Sequence, residues 1–262
     1  MKVVLFCGGL GTRIREYSEK IPKPMIPIGY RPILWHVMKY YAHFGHMDFI
    51  LALGYKAEVI KSFFLDYRNE MSADFTLSGR YRDIQLASSD IENWRITFVD
   101  TGLESNIGER LLAVRRYLGD EEMFLANYSD GLTDLDLTGH IKRFRRSNAI
   151  ATFMTVKPPL TYHAVNTDED GTVTQMSPVS SIDLRINGGY FVLRREIFDH
   201  MNPGEELVEE PFQRLIKEQR LVAYRHSGFW APMDTLRDKQ QLEGLFATGR
   251  PPWGVWMPRN EN

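Results

Sequence analysis

Over its first half the chain alternates short apolar, β-branched-rich runs with stretches whose apolar residues recur at helical spacing. That alternation restricts it to an α/β fold with a mostly parallel sheet, whose ligand sites lie at the carboxyl ends of the strands. Val3-Val4-Leu5-Phe6-Cys7 reads as a buried strand that stops abruptly at Gly8-Gly9. Leu34, Val37, Met38 and Tyr41 predict a helix over 33–44, with Pro32 at its first turn and Gly45 able to take the left-handed cap. A strand over 49–53, a helix over 59–67, a strand over 94–99, a helix over 110–118 closed by Gly119 and an apolar strand over 123–128 follow. Beyond Ala151, strands at 152–156, 173–176, 190–193 and 221–224 come with fewer helices, so the second half is expected to extend the sheet with mixed strands and cover one end of it.

A chain of 262 residues is expected to build one domain, and its 43% apolar and 25% charged residues are ordinary globular values. No internal repeat or low-complexity tract is visible, and the polar segment 69–93 reads as a surface insertion. The net charge of -2 comes without long blocks of like charge, which argues against nucleic acid and anionic membranes as partners. No apolar run approaches the roughly 18 residues of a membrane span. The N-terminal run is too short for a signal-peptide core, so a cytoplasmic location is expected. Cys7, the single cysteine, excludes an internal disulfide and reads as a small buried residue at a strand end.

Gly8-Gly9-Leu10-Gly11-Thr12-Arg13 follows the first strand directly. Its glycines let backbone amides approach a polyphosphate unobstructed, and Arg13 adds a fork of donors for phosphate oxygens. By itself the cluster fits a tight structural turn equally well. In Pro22-Lys23-Pro24-Met25, Pro24 disfavours a helical Lys23 and the flanking prolines hold the segment extended, presenting the ammonium in a defined direction. A solvated lysine in a proline-rich loop fits the same four residues. Asp130 ends the apolar strand and Asp234 lies in Trp230-Ala231-Pro232-Met233-Asp234-Thr235. Two such acids, with phosphate oxygens and water, make a magnesium site of the hard-oxygen kind. The alternatives are a turn residue before Gly131 for Asp130, and for Asp234 the N-cap of a helix over 235–246.

Together the glycine loop and the Pro-Lys-Pro-Met segment resemble the signature of the sugar-1-phosphate nucleotidyltransferases, and further stretches are similar to their cytidylyltransferase branch. Among these are Pro32-Ile33-Leu34-Trp35-His36, Gly54-Tyr55-Lys56, Val99-Asp100-Thr101-Gly102, Ser129-Asp130-Gly131, Ile186-Asn187-Gly188-Gly189-Tyr190 and Gly228-Phe229-Trp230 through Lys239. The similarity runs nearly end to end. It implies a GT-A/Rossmann-like mostly parallel sheet, with a nucleotide-binding part over about residues 1–150 and a mixed-strand acceptor-binding part over about 151–262. It also implies attack of an acceptor phosphate, such as glucose 1-phosphate, on the α-phosphorus of a nucleoside triphosphate, CTP in this branch, with release of pyrophosphate. Gly8, Gly9, Gly11, Thr12, Arg13, Lys23 and Arg110 would then bind the nucleotide, and Asp130 and Asp234 would hold Mg2+. Tyr162, His163, Ser177, Arg185, Asn187 and Gly188 would line the acceptor pocket, and a homo-oligomer is expected.

The chain departs from the family pattern mainly on the acceptor side. Met176-Ser177-Pro178 stands where the family has Glu-Lys-Pro, whose lysine touches the acceptor phosphate, and Tyr162-His163-Ala164-Val165 replaces Phe-Gly-Ala-Leu. The usual Gly-Asp-Gly is Ser129-Asp130-Gly131, and Ile107-Gly108-Glu109-Arg110 replaces paired glycines before an arginine. These changes allow an acceptor other than glucose 1-phosphate. Arg185, with Lys157 as its alternative, is the cation expected to replace the missing lysine. A dinucleotide-binding oxidoreductase fails on glycine spacing and lacks the acid about 20 residues on. A catalytically weak regulatory protein on the same fold is opposed by the retention of Arg13, Lys23, Asp130 and Asp234.

Overall fold

The computed structural model describes residues 1–9, 21–71, 74–79, 83–86, 90–158 and 162–257. Its centre is a sheet of eight strands: β1 (Val3–Phe6), β2 (Asp48–Leu53), β3 (Arg95–Asp100), β4 (Met123–Tyr128), β5 (Ala151–Val156), β6 (Ile186–Asn187), β7 (Phe191–Arg194) and β8 (Leu221–Arg225). β1 lies between β2 and β4 and runs parallel to both, and β3 continues parallel outside β2. On the other side β7 is antiparallel to β4 and to β5, while β8 runs parallel to β5 at the edge. The mostly parallel sheet with a mixed extension is therefore present. The strand over 173–176 is the exception: Val173–Pro178 pairs only with His163–Thr167, as a separate ribbon.

Burial on both faces explains why β1 is uninterruptedly apolar rather than alternating. Val3, Leu5 and Cys7 face a core shared with α1 (Ile33–His43), α2 (Ala57–Leu65), α4 (Leu137–Arg145) and α6 (Leu236–Ala247). Val4 and Phe6 face the opposite core, which contains Leu111 and Val114 of α3 (Ile107–Val114) and Phe212 and Leu215 of α5 (Glu210–Lys217). A helix on each face thus closes a three-layer stack. No helix among the described residues is long and apolar enough to cross a membrane.

Local chemistry sets the helix ends. Pro32 is the N-cap of α1, one residue outside it rather than in its first turn, and Gly45 takes φ 81° just beyond its end. α2 begins earlier than its apolar spacing implies because Lys56, at φ 50°, turns the chain into the helix. α3 starts three residues before Arg110, where Asn106 and Glu109 form a reciprocal capping box, and it tightens to a 3-10 turn over Arg115–Leu118 before Gly119 at φ 62°.

One interruption in the sheet matters for the site. β6 and β7 are successive parts of one edge against β5, broken at Gly188-Gly189-Tyr190, where Gly189 and Tyr190 take φ 77° and 53°. Asn127 of β4 holds the break by accepting the Tyr190 amide at 2.9 Å, and a Cβ on Gly189 would lie 2.4 Å from that same Asn127 oxygen. The break sets Asn187 beside the end of β4.

Candidate active site

The carboxyl ends of β1 and β4 open into a cleft of about 640 Å³. Gly8 and Gly9 leave β1 on one side, and Ser129-Asp130 leave β4 on the other, tied together by the Ser129 hydroxyl donating to the Phe6 carbonyl at 2.8 Å. Pro22 is extended, as its neighbours predict, but Lys23–Met25 form a single 3-10 turn instead of continuing extended. The turn suits Pro24, which needs no amide hydrogen bond so early in a helical segment.

That turn aims Lys23 at both acids. Its Nζ lies 2.5 Å from Asp130 Oδ2 and 2.7 Å from Asp234 Oδ1. Asp234 reaches Asp130 through a short antiparallel pairing of Trp230–Pro232 with Gly131–Thr133, extended by the Met233 amide donating to the Asp130 carbonyl at 2.9 Å. The helix-cap alternative for Asp234 does not hold: Thr235 is the N-cap of α6, in a capping box with Asp238. Burial alone would push the Lys23 pKa down, but Asp130 and then Asp234 outweigh it and hold it above its ordinary value, so the ammonium stays charged.

Arg110 occupies a different place. Only 3% exposed, it donates through Nη1 to Leu53 O, Thr101 Oγ1 and Gly102 O, and through Nη2 to Gly8 O and Leu103 O. One guanidinium thus ties together the loops leaving β1, β2 and β3, which makes it the brace of the glycine turn although it borders the cleft. Gly8 must be glycine for this reason, because a Cβ there would lie 2.0 Å from Arg110 Nη1. Gly8→Ala is expected to displace the guanidinium and destabilise the fold by about 1–3 kcal/mol, read from urea denaturation; an unchanged midpoint would contradict the brace.

Gly8, Gly9, Lys23, Asp130, Asn187 and Asp234 are brought together around the cleft, with Gly188 directly behind, its carbonyl accepting from Trp230 Nε1 at 3.1 Å. Gly11, Thr12 and Arg13 lie outside the described residues. Tyr162, His163 and Ser177 are not among the lining; they stand on the ribbon of His163–Thr167 and Val173–Pro178, or just before it, and Tyr162 is 71% exposed. Arg185 is also absent from the lining: its Nη1 donates to the Thr155 and His226 carbonyls, which fastens the start of β6 to β5 and to the end of β8. In the fold Arg185 thus braces β6 through Nη1, while its buried Nε has no hydrogen-bond partner among the described residues.

Ser105, Asn106, Tyr128, Glu206 and Trp230 also line the cleft. The pattern Asn106-x-x-Glu109 marks a helix start and could have drawn attention to Asn106. Glu206 sits in an acid-rich stretch with no distinguishing local signal.

The donor set fits a divalent cation. Two carboxylates converge on one cationic centre, and their side chains are 28% and 35% exposed, so water and phosphate oxygens have room to complete a hard-oxygen shell. Among the described residues no group of three or more His, Cys, Asp or Glu could hold a metal by itself.

Residues 2–236 match the family model described as Nucleotidyl transferase. The chain is 40% identical over 257 residues to the glucose-1-phosphate cytidylyltransferase of Salmonella typhi, covering 98% of this chain and 100% of that protein. The glucose-1-phosphate cytidylyltransferase of Salmonella typhimurium matches with the same identity and coverage. Among solved structures, a UTP-bound UGPase from Acinetobacter baumannii superposes with a TM-score of 0.68 at 19% identity, covering 97% of this chain and 96% of that one.

Proposed function

The chain belongs to the nucleotidyl transferase family, and from that premise we propose that it is a cytidylyltransferase that joins CTP to glucose 1-phosphate and releases pyrophosphate. The reading rests above all on Lys23, held between Asp130 and Asp234 at the carboxyl ends of β1 and β4.

In this reading an oxygen of the acceptor phosphate attacks the α-phosphorus of CTP. A new P–O bond forms, the bond from the α-phosphorus to the bridging oxygen breaks, and pyrophosphate leaves with the electron pair. The nucleophile is already ionised near neutral pH, so no general base is required. What the protein must supply is alignment and charge neutralisation, since phosphoryl-type transfers need little covalent assistance. Exposed Gly9 and buried Gly8 bring the backbone close to the triphosphate without side-chain obstruction. Lys23 offsets phosphate charge, and Arg110 acts one step removed by fixing the glycine turn. Asp130 and Asp234 would hold a divalent metal, Mg2+ by the hardness of their oxygens, and when bound it supplies neutralisation of the phosphate oxygens. Asn187 and Trp230 also line the cleft, and in this reading they meet the acceptor.

The choice of base is tested by competition. With glucose 1-phosphate fixed, kcat/KM for CTP is expected to exceed that for UTP, dTTP, GTP and ATP. Preference for any of these would overturn the cytidylyl assignment while leaving the reaction class standing.

A further inference from the structure

Among the described acids of the cleft, Asp130 and Asp234 face Lys23, and Glu206 has no part in the chemistry above. It lies between β7 and α5, where the backbone packs onto the start of α3 so tightly that a Cβ on Gly108 would meet the Glu205 carbonyl at 2.1 Å. One of its oxygens, Oε2, accepts the Ile107 amide at 3.1 Å, which fixes the carboxylate on the cleft wall. The reciprocal box of Asn106 and Glu109 satisfies the Asn106 and Glu109 amides, and Glu206 accepts the Ile107 amide that the box leaves over. Burial raises the Glu206 pKa, and the nearby charges of Glu209 and Glu210 add to it against the pull of the Ile107 and Leu207 amides. The Ile107 and Leu207 amides use only part of the acceptor capacity of a carboxylate, which leaves room for a further donor from the cleft.

The neighbours indicate which donor. The Glu206 charge acts on Tyr128, whose pKa is pushed up to about 12, by burial first and then by Glu206. The Tyr128 hydroxyl accepts a hydrogen bond from Asn187 Nδ2 at 3.4 Å, and with Glu206 these two side chains contribute polar groups to the cleft wall. A polyphosphate would be repelled from that wall. The two cations of the described lining are engaged elsewhere, Lys23 with both aspartates and Arg110 with the loop carbonyls. What fits beside a carboxylate, a phenol and an amide is an uncharged, hydroxyl-bearing ring.

We propose that Glu206 is a specificity residue of the acceptor pocket, its carboxylate accepting a hydrogen bond from one hydroxyl of the acceptor sugar, with Tyr128 and Asn187 alongside. The assignment rests on the activity proposed above. Glu206→Gln retains an oxygen for the Ile107 amide but removes the charge. It is expected to raise the KM for glucose 1-phosphate about 10- to 100-fold, the range of one hydrogen bond to a charged group, and to leave the KM for CTP and the Tm unchanged. Wild type should discriminate against one monodeoxy analogue of glucose 1-phosphate by a similar factor, and the variant should no longer do so. An unchanged acceptor KM overturns the proposal. So does a fall in Tm with both KM values raised alike, which would make Glu206 a helix anchor only. If the wild type itself releases no pyrophosphate with glucose 1-phosphate, the activity reading has failed. Calorimetric titration of that sugar phosphate into wild type and variant then decides the assignment, equal affinities overturning it.

Discussion

Asp130→Ala and Asp234→Ala are each expected to abolish metal-dependent turnover, lowering kcat on the order of 10^3-fold or more, with the fold retained. Both side chains are partly exposed, so truncation leaves no core cavity, and each removal deletes a hard ligand and one partner of the Lys23 ammonium. Asp130 also accepts the Met233 amide through its backbone carbonyl, which survives the substitution and keeps the short pairing of Trp230–Pro232 with Gly131–Thr133 in register. Activity measured against Mg2+ concentration, beside circular dichroism and thermal melting, checks both halves of the expectation. Near-normal rates in either folded variant would refute the carboxylate assignment.

Lys23→Ala should lower kcat by about 10^2- to 10^3-fold, the effect of removing one preorganised charged donor. Its ammonium is mostly buried and fixed by two contacts, at 2.5 and 2.7 Å, so it need not reorganise as charge shifts toward the leaving pyrophosphate. Without it the two aspartates face each other uncompensated and must rely on another cation. Steady-state kinetics separate the possibilities: a fall in kcat places Lys23 in transition-state stabilisation, whereas a rise in KM alone would reduce it to ground-state binding.

Much of this site is readable in the sequence because its parts sit at strand ends. An apolar run that stops at Gly8-Gly9 or at Ser129-Asp130 announces both a strand and the loop after it, and the parallel sheet follows from the alternation of elements. What the sequence conceals depends on long-range packing. α5 is only eight residues long, and its buried set of Pro211, Phe212 and Leu215 makes sense only against the far core. α4, by contrast, carries ordinary local signals of a helix, Asp136 as N-cap and Leu137, Ile141 and Phe144 at helical spacing. Arg110 and Arg185 illustrate the same limit from the side of function. An arginine beside a phosphate loop reads as a ligand for anions, yet each donates to backbone carbonyls that converge only in the folded chain. Asn187 was legible from its motif, whereas Glu206 joins it only through the packing of α3 on residues 205–207.

The most direct test is one reaction mixture: purified protein, Mg2+, CTP and glucose 1-phosphate, followed by a pyrophosphate-coupled assay and mass analysis of the products. The predicted result is pyrophosphate release that requires both substrates, matched one for one by CDP-glucose and lost in Lys23→Ala. Failure of CTP to yield pyrophosphate with glucose 1-phosphate or any other sugar 1-phosphate, from protein that is folded and binds the nucleotide, would contradict it.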